Sequence, residues 1–243
     1  MEDMPPSVKQ LIKRAIRSAG FELIRKRPHL VDLLVMRNID VVFDVGASEG
    51  QFAEYLRSNG YRRRIVSFEP LPDAFSILQR KAAADGAWTG VNAALGASER
   101  SVALNVSRST VYSSILPALP VLSDFAGSAV EVVRQHDIVL STLDAEFCRH
   151  VREGEQVFLK IDTQGYEQEV LAGAQSCLSR ISGAQLELSL TPLYKGETPL
   201  AGMEALLERN GFHMALFEPV TYDKARSVLL QIDCVFFREG PAC

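Results

Sequence analysis

A chain of 243 residues, 47% of them hydrophobic, is long enough to bury one sizeable core and fits a single α/β domain preceded by a short extension. Its net charge of −4 and pI near 5.7 give no global attraction to a polyanion, so no nucleic-acid partner is expected. Cys148, Cys177, Cys234 and Cys243 form no C-x-x-C pair and no nearby histidine completes a zinc spacing; no run is apolar enough to span a bilayer and no secretory leader is recognisable. The expectation is a cytoplasmic protein with reduced thiols and no metal.

Between Pro5 and Pro28, Val8, Leu11, Ile12, Ala15 and Ile16 recur at helical spacing among Lys9, Lys13, Arg14 and Arg17, and Arg25-Lys26-Arg27 follow. Residues 1–30 are therefore predicted as a basic amphipathic helical extension, and 31–243 as the main domain. Two roles stay open for such a helix. It can lie on an anionic membrane surface as a peripheral contact, or it can lid the main domain with its basic face in water.

The most informative stretch is Val41-Val42-Phe43-Asp44-Val45-Gly46-Ala47-Ser48-Glu49-Gly50, an apolar strand that runs into a turn of small residues and then into the helical pattern Gln51-Phe52-Ala53-Glu54-Tyr55-Leu56. Small residues let the backbone pass close under a ligand, and the helix that follows aims unpaired N–H groups at it. A second apolar strand, Ile65-Val66-Ser67-Phe68, ends in Glu69-Pro70, and the acid lies at about the offset where doubly wound sheets place a carboxylate on ribose hydroxyls. A nicotinamide dinucleotide site would want G-x-G-x-x-G, and acids beside the turn would repel its pyrophosphate. Those carboxylates suit a ligand with an amino group, a sulfonium and a ribose, which describes S-adenosylmethionine.

Downstream, Asp73 to Lys81 is helical in spacing, Trp88 to Gly96 reads as one short strand, and Ser101 to Val106 alternates as a strand. Val130 to Val133 and Ile138 to Leu140 look like added strands before a helix that starts at Leu143-Asp144. Between them, 107–127 has no period and reads as a loop over the active-site face. Val157 to Asp162 is a buried strand that feeds a helix over 165–174. Another strand covers 183–190, a helix over 201–210 is stopped by Asn210-Gly211, and Met214 to Glu218 with Gln231 to Phe237 make a terminal pair. Strands separated by helices argue for a mostly parallel sheet with helices on both faces.

Phe43-Asp44-Val45-Gly46-Ala47-Ser48-Glu49-Gly50, Ser67-Phe68-Glu69-Pro70, Asn92-Ala93-Ala94-Leu95-Gly96, Leu143-Asp144 and Leu159-Lys160-Ile161-Asp162-Thr163-Gln164-Gly165-Tyr166-Glu167 together resemble the FkbM family of methyltransferases, over about residues 39 to 237. The family's usual K-I-D-V-E-G-x-E stands here with Gln164 in place of the middle acid. The resemblance implies a class I methyltransferase, Rossmann-like sheet of seven strands, mostly parallel with an antiparallel strand at one edge. It also implies S-adenosylmethionine as cofactor and O-methylation of a hydroxyl on a sugar, glycolipid or polyketide-type natural product.

For the donor, Asp44, Gly46, Ala47 and Ser48 are expected around the methionine part, with Gly50 admitting close approach of the helix. Glu69 is expected on the ribose, Pro70 and Leu71 beside the adenine, and Asn92, Ala93 and Ala94 on the opposite wall. An alcohol needs its proton removed as it attacks, which calls for a carboxylate or histidine in reach. Asp162 is the first candidate because an acid that ends a core strand projects into the crevice where open α/β sheets bind ligands; the alternative is an N-cap for the next helix. Glu187 is second, and His136 in the added strands is third. Tyr112, Ser113, Ser114, Tyr194 and Lys195 are candidate acceptor contacts, since a polyol needs several short-range donors and acceptors. The competing classes are a nicotinamide oxidoreductase and a donor-binding protein without turnover.

Overall fold

The computed structural model describes residues 8–20 and 29–238. The helix expected in the extension is α1 (Val8–Ser18), and its Leu11 and Ile12 are about half exposed. Arg25-Lys26-Arg27 and Cys243 lie outside the described residues. The remaining thiols Cys148, Cys177 and Cys234 are free. No helix among the described residues is long and apolar enough to cross a membrane.

The core begins with a helix that the sequence reading left unassigned, α2 (Leu30–Met36), whose Leu30, Val31 and Leu34 are buried; its first turn is closed by His29 N–H donating to Asp32 Oδ2 at 3.0 Å. Then follow β1 (Val41–Val45), α3 (Gln51–Ser58), β2 (Arg64–Phe68), α4 (Pro72–Ala83) and β3 (Trp88–Val91), with proline at the first position of α4, where its missing N–H costs nothing. The expected strand from 88 to 96 is two strands in two sheets: the chain breaks at Asn92-Ala93, and β4 (Ala94–Leu95) joins a small second sheet with β5 (Arg100–Ser107) and β6 (Val132–Ser141).

The two fragments expected at 130–133 and 138–140 are thus one ten-residue strand, β6. The segment read as a loop holds a short 3-10 turn at Thr110–Tyr112 and α5 (Pro120–Ala126). Seven residues with Leu122 as the only fully buried member leave too little apolar spacing to register as a period.

The second half runs α6 (Leu143–His150), β7 (Val157–Ile161), α7 (Glu167–Ala172), β8 (Ile181–Ser189), α8 (Leu200–Arg209), β9 (Phe212–Asp223) and β10 (Val228–Arg238). Thr142 caps α6 by accepting from Ala145 N–H at 3.2 Å. The sheet order is β3-β2-β1-β7-β8-β10-β9. β1, β2, β3, β7 and β8 are mutually parallel, and β10 pairs antiparallel with both β8 and β9. The expected antiparallel strand is present as β10, one place in from the edge, because the chain after β9 folds back between β9 and β8.

The central strands β1 and β7 are buried at every position, as parallel strands covered on both faces require. One layer packs α2, α3 and α4 against Val42, Ile65, Phe158, Val235 and Phe237. The other packs α6, α7 and α8 against Phe43, Phe68, Leu159, Leu186 and Phe236. The small sheet stands over the C-terminal strand ends, where Leu104, Ile138 and Leu140 pack with Leu71, Ala74 and Tyr166.

Candidate active site

The turn after β1 is built by its glycines. Gly46 has φ +77°, and a Cβ there would lie 1.9 Å from the carbonyl oxygen of Asp162, so only glycine lets the ends of β1 and β7 meet. Gly46 and Ala47 N–H donate to Phe68 O at 3.1 and 3.0 Å, which ties the turn to β2. Gly50 has φ +90°, and a Cβ would come within 2.5 Å of the Trp88 ring. Glu69 closes the arrangement: its Oε2 accepts from Ser48 N–H at 2.9 Å and its Oε1 from Leu71 N–H at 2.8 Å. Burial pushes this carboxyl up to about 7, against the pull of those two bonds.

Behind the turn a row of polar side chains crosses the sheet. Trp88 Nε1 donates to Ser67 Oγ at 2.9 Å, and Ser67 Oγ donates to Asp44 Oδ2 at 3.1 Å. Lys160 Nζ stands 3.2 Å from Asp44 Oδ1 and 3.4 Å from Asp162 Oδ2. Asp44 is fully buried, and burial raises its carboxyl from the usual range although Lys160 opposes the rise. For Lys160 burial acts downward, but the charges of Asp162 and Asp44 outweigh it and hold the ammonium above its usual value. The sequence signal for Lys160 was a charge inside the apolar run Val157-Phe158-Leu159-Lys160-Ile161, which only a paired lysine tolerates.

At the far end the row becomes an acid centre. Gln164 Nε2 donates to Asp162 Oδ1 at 2.8 Å and to Glu187 Oε2 at 2.7 Å, and Gln231 Nε2 donates to the same Glu187 oxygen at 2.7 Å. Thr221 Oγ1 donates to Gln231 Oε1 at 3.0 Å. Burial, and then the charges of Asp162 and Asp233, raise Glu187 well above the usual carboxylate range. Asp162 does not cap the next helix. No side chain caps α7; Glu167 in its first turn is buried and reaches back to the preceding turn, accepting from Thr163 N–H, Thr163 Oγ1 and Gly165 N–H at 3.0, 3.1 and 3.1 Å. Burial pushes Glu167 up to about 7 as well.

One cavity of about 380 Å3 joins the two ends. Of the residues expected on the donor, Gly46, Ser48, Glu69, Pro70, Leu71 and Ala94 line it. Asp44, Ala47 and Gly50 stand behind that lining, and Asn92 braces it from outside, its Nδ2 donating to Glu69 O and Pro70 O at 2.8 and 3.1 Å. Ala93 sits beside Asn92, off the cavity. Asp162 and Glu187 line it; His136, on β6 opposite Leu104, does not. Tyr112 and Ser113 line it. Ser114 is buried with Oγ donating to Gln164 O at 2.7 Å, and Tyr194 is buried with its hydroxyl donating to Gln164 Oε1 at 2.8 Å, so both support the wall from behind. Lys195 is exposed and off the cavity. Thr110, Thr221 and Gln231 line the cavity without having been singled out, and so does Gln164, noted in the sequence only as a departure from the family motif. Among the described residues no group of three His, Cys, Asp or Glu side chains converges as a metal site.

The family model described as the methyltransferase FkbM domain matches residues 44–214. The chain belongs to the FkbM methyltransferase domain family. No curated protein sequence matches it. Solved structures of similar fold include magnesium protoporphyrin IX methyltransferase from Synechocystis PCC 6803 with bound S-adenosylmethionine, at 13% identity and TM-score 0.47, covering 98% of this chain and 87% of that one. TehB from Haemophilus influenzae matches at 8% identity and TM-score 0.48, over 88% of this chain and 64% of that one. An rRNA methylase from Streptococcus thermophilus matches at 10% identity and TM-score 0.45, over 89% and 99%. Likeness at this level carries no information about the substrate of the FkbM domain.

Proposed function

We propose that this FkbM domain is an S-adenosylmethionine-dependent O-methyltransferase acting on a hydroxyl of a sugar, glycolipid or polyketide-type natural product. The observation that carries the reading is a single cavity at the C-terminal edge of a parallel sheet with Glu69 at one end and the Asp162–Glu187 pair at the other. The residues present fit the donor. Each oxygen of Glu69 accepts one backbone bond and keeps a lone pair for a ribose hydroxyl. Gly46 lets the turn close against the end of β7 and, with Ser48, faces the cavity where the methionine part is proposed, and Pro70, Leu71 and Ala94 offer apolar walls to the adenine, with Asn92 bracing Glu69 and Pro70 and Ala93 beside it.

Bound there, the donor supplies a methyl carbon already activated by a sulfonium charge, so the chain's work is to position the acceptor and remove its proton. Asp162 Oδ2, the oxygen that Gln164 leaves free, receives that proton, and Lys160 balances its charge at 3.4 Å. Glu187, raised by burial, serves as the neutral partner that hydrogen-bonds the acceptor. Tyr112, Ser113, Thr110 and Thr221 offer short-range hydroxyls to a polyol. His136, Tyr194 and Lys195 take no part in direct contact.

The acidic balance argues for a small-molecule acceptor over nucleic acid, and the basic face of α1 suits a peripheral contact with an anionic membrane in the cytoplasm. A nicotinamide site is disfavoured by the turn, which lacks G-x-G-x-x-G. Calorimetry with S-adenosylmethionine, S-adenosylhomocysteine and NADH tests the donor: heat with the first two and none with the third is expected, and the reverse ends the reading. Mass spectrometry over a panel of sugars, glycolipids and macrocycles then seeks a product heavier by one methylene; donor binding with no product from any acceptor would leave a binding protein without turnover.

A further inference from the structure

Two carboxylates that face one cavity repel each other unless a proton, a cation or a hydrogen-bond donor stands between them. Here a donor does. Asp162 Oδ1 and Glu187 Oε2 both accept from Gln164 Nε2, at 2.8 and 2.7 Å. That nitrogen carries two protons, so each carboxyl group receives one and the amide has no donor left over. The other end of the amide is held too. The Tyr194 hydroxyl stands 2.8 Å from Gln164 Oε1, nearer than its other acceptor, Tyr112 O at 3.3 Å, and together with the two acids it favours this direction of the carboxamide, since the flipped form would aim an oxygen at both acids.

The backbone is fixed to match. Gln164 has φ +57° and Gly165 φ +94°, and Ser114 Oγ donates to Gln164 O at 2.7 Å. From this turn the side chain reaches between the acids, where its three hydrogen bonds hold it. A glutamate here, as in the usual family motif, would gather three carboxyl groups at one point, a cluster that protons or a divalent cation must neutralise.

We propose that Gln164 is the positioning residue of the acid centre, a neutral carboxamide in the place of a bridging divalent cation, which sets the spacing of Asp162 and Glu187 and frees the centre from any need for metal. The proposal rests on the methyltransferase reading for its functional meaning, but its test does not need an acceptor. The bond from Gln164 works against the rise that burial imposes on Glu187, so loss of the amide moves that carboxyl further up.

The experiment combines calorimetry with Mn2+ and a carbon-13 NMR titration of the Glu187 carboxyl, on the wild type, Gln164→Glu and Gln164→Ala. The wild type is expected to give no heat with Mn2+, Gln164→Glu to bind it, and the double variant carrying Asp162→Asn as well to lose it again. In Gln164→Ala the Glu187 midpoint is expected to rise by about one pH unit, tenfold in proton affinity. Equal Mn2+ binding by wild type and Gln164→Glu overturns the proposal, and so does an unmoved Glu187 midpoint in Gln164→Ala. If Gln164→Glu does not fold, the Gln164→Ala titration decides alone. S-adenosylhomocysteine binding by the same wild-type sample reports on the function separately: its absence would remove the methyltransferase reading without altering either result.

Discussion

The two ends of the cavity are built in different ways. At the donor end the contacts are made by short contiguous segments, 44–50 and 69–71, and most bonds that shape the cavity wall there involve backbone N–H and carbonyl groups, with the Glu69 carboxyl joining the two segments and the Asp44 carboxyl anchoring the turn from behind. At the acceptor end the walls come from separate places in the chain: Tyr112 and Ser113, Asp162 to Gln164, Glu187, Thr221 and Gln231. There the bonds run from side chain to side chain. A backbone-built end is fixed by the fold, so substitution there disturbs folding or donor affinity. A side-chain-built end can be retuned one residue at a time, so substitution there should change turnover while donor affinity holds.

The largest effect that would break this contrast is at Asp162. Asp162→Asn removes a proton acceptor but keeps the shape, and turnover is expected to fall by about 10^2 to 10^4. S-adenosylhomocysteine affinity, read by calorimetry, should stay within about twofold, less than 0.5 kcal/mol. A matching loss of donor affinity would mean that the two ends are one unit. Lys160 sits where they meet. Lys160→Met leaves the buried Asp44 and the partly exposed Asp162 without their counter-charge, and chemical denaturation should register a loss of about 3–5 kcal/mol, most of it from Asp44. A loss under about 1 kcal/mol would mean that the carboxylates find protons or water at little cost.

The same division explains what could be read from the chain. The donor end is a local object. An apolar strand, a small-residue turn and a helix announce it within ten residues, and Glu69 follows at the end of the next strand. The acceptor end is not local. Asp162 was visible as an acid that ends a core strand and Glu187 as an acid inside the next one, but nothing near Gln164 says that its amide meets Glu187 or that Tyr194 lies behind it. Gln231 offered a weak signal, as a polar residue inside Val228-Leu229-Leu230-Gln231-Ile232, and Lys160 a stronger one. The break at Asn92-Ala93 escaped because Trp88 to Gly96 reads as one short run of mostly small and apolar residues, and its division between two sheets depends on the distant pairing of Ala94 and Leu95 with Leu140 and Ser141 of β6. α2 and α5 are seven residues each, too short for helical periodicity to stand out.

Glu69 gives a prediction of intermediate size with a definite pH dependence. Glu69→Ala should weaken donor binding about tenfold, or 1.4 kcal/mol. Burial raises this carboxyl from 4.5 to about 7, so in the free protein it gains its charge only as pH rises through about 7. Donor affinity is therefore expected to rise across that range, because a charged carboxylate accepts ribose hydroxyls more strongly, and to be flat in Glu69→Gln. Stability runs the other way. The folded state holds a proton that the unfolded chain has lost, so this group's contribution is complete below about 4.5 and is lost as pH rises through about 7. Thermal denaturation of Glu69→Gln should lack that part of the slope. An unchanged slope would assign it to Glu167, which burial raises to about the same value.

The smallest expected effect is the most specific. Tyr194→Phe keeps the buried ring and removes the hydroxyl that donates to Gln164 Oε1. One neutral hydrogen bond is lost, so stability should drop by about 1 kcal/mol. The functional consequence should be larger than that figure suggests, because the Gln164 oxygen then loses its donor and the amide is held between Asp162 and Glu187 by its nitrogen alone. Turnover should fall while S-adenosylhomocysteine affinity does not, with the pH profile shifted upward as Glu187 loses the bond that holds it down. A fall in turnover no greater than the stability loss, with an unshifted profile, would mean that Gln231 alone keeps Glu187 in place and that the acceptor end is less dependent on its second layer of side chains than its geometry indicates.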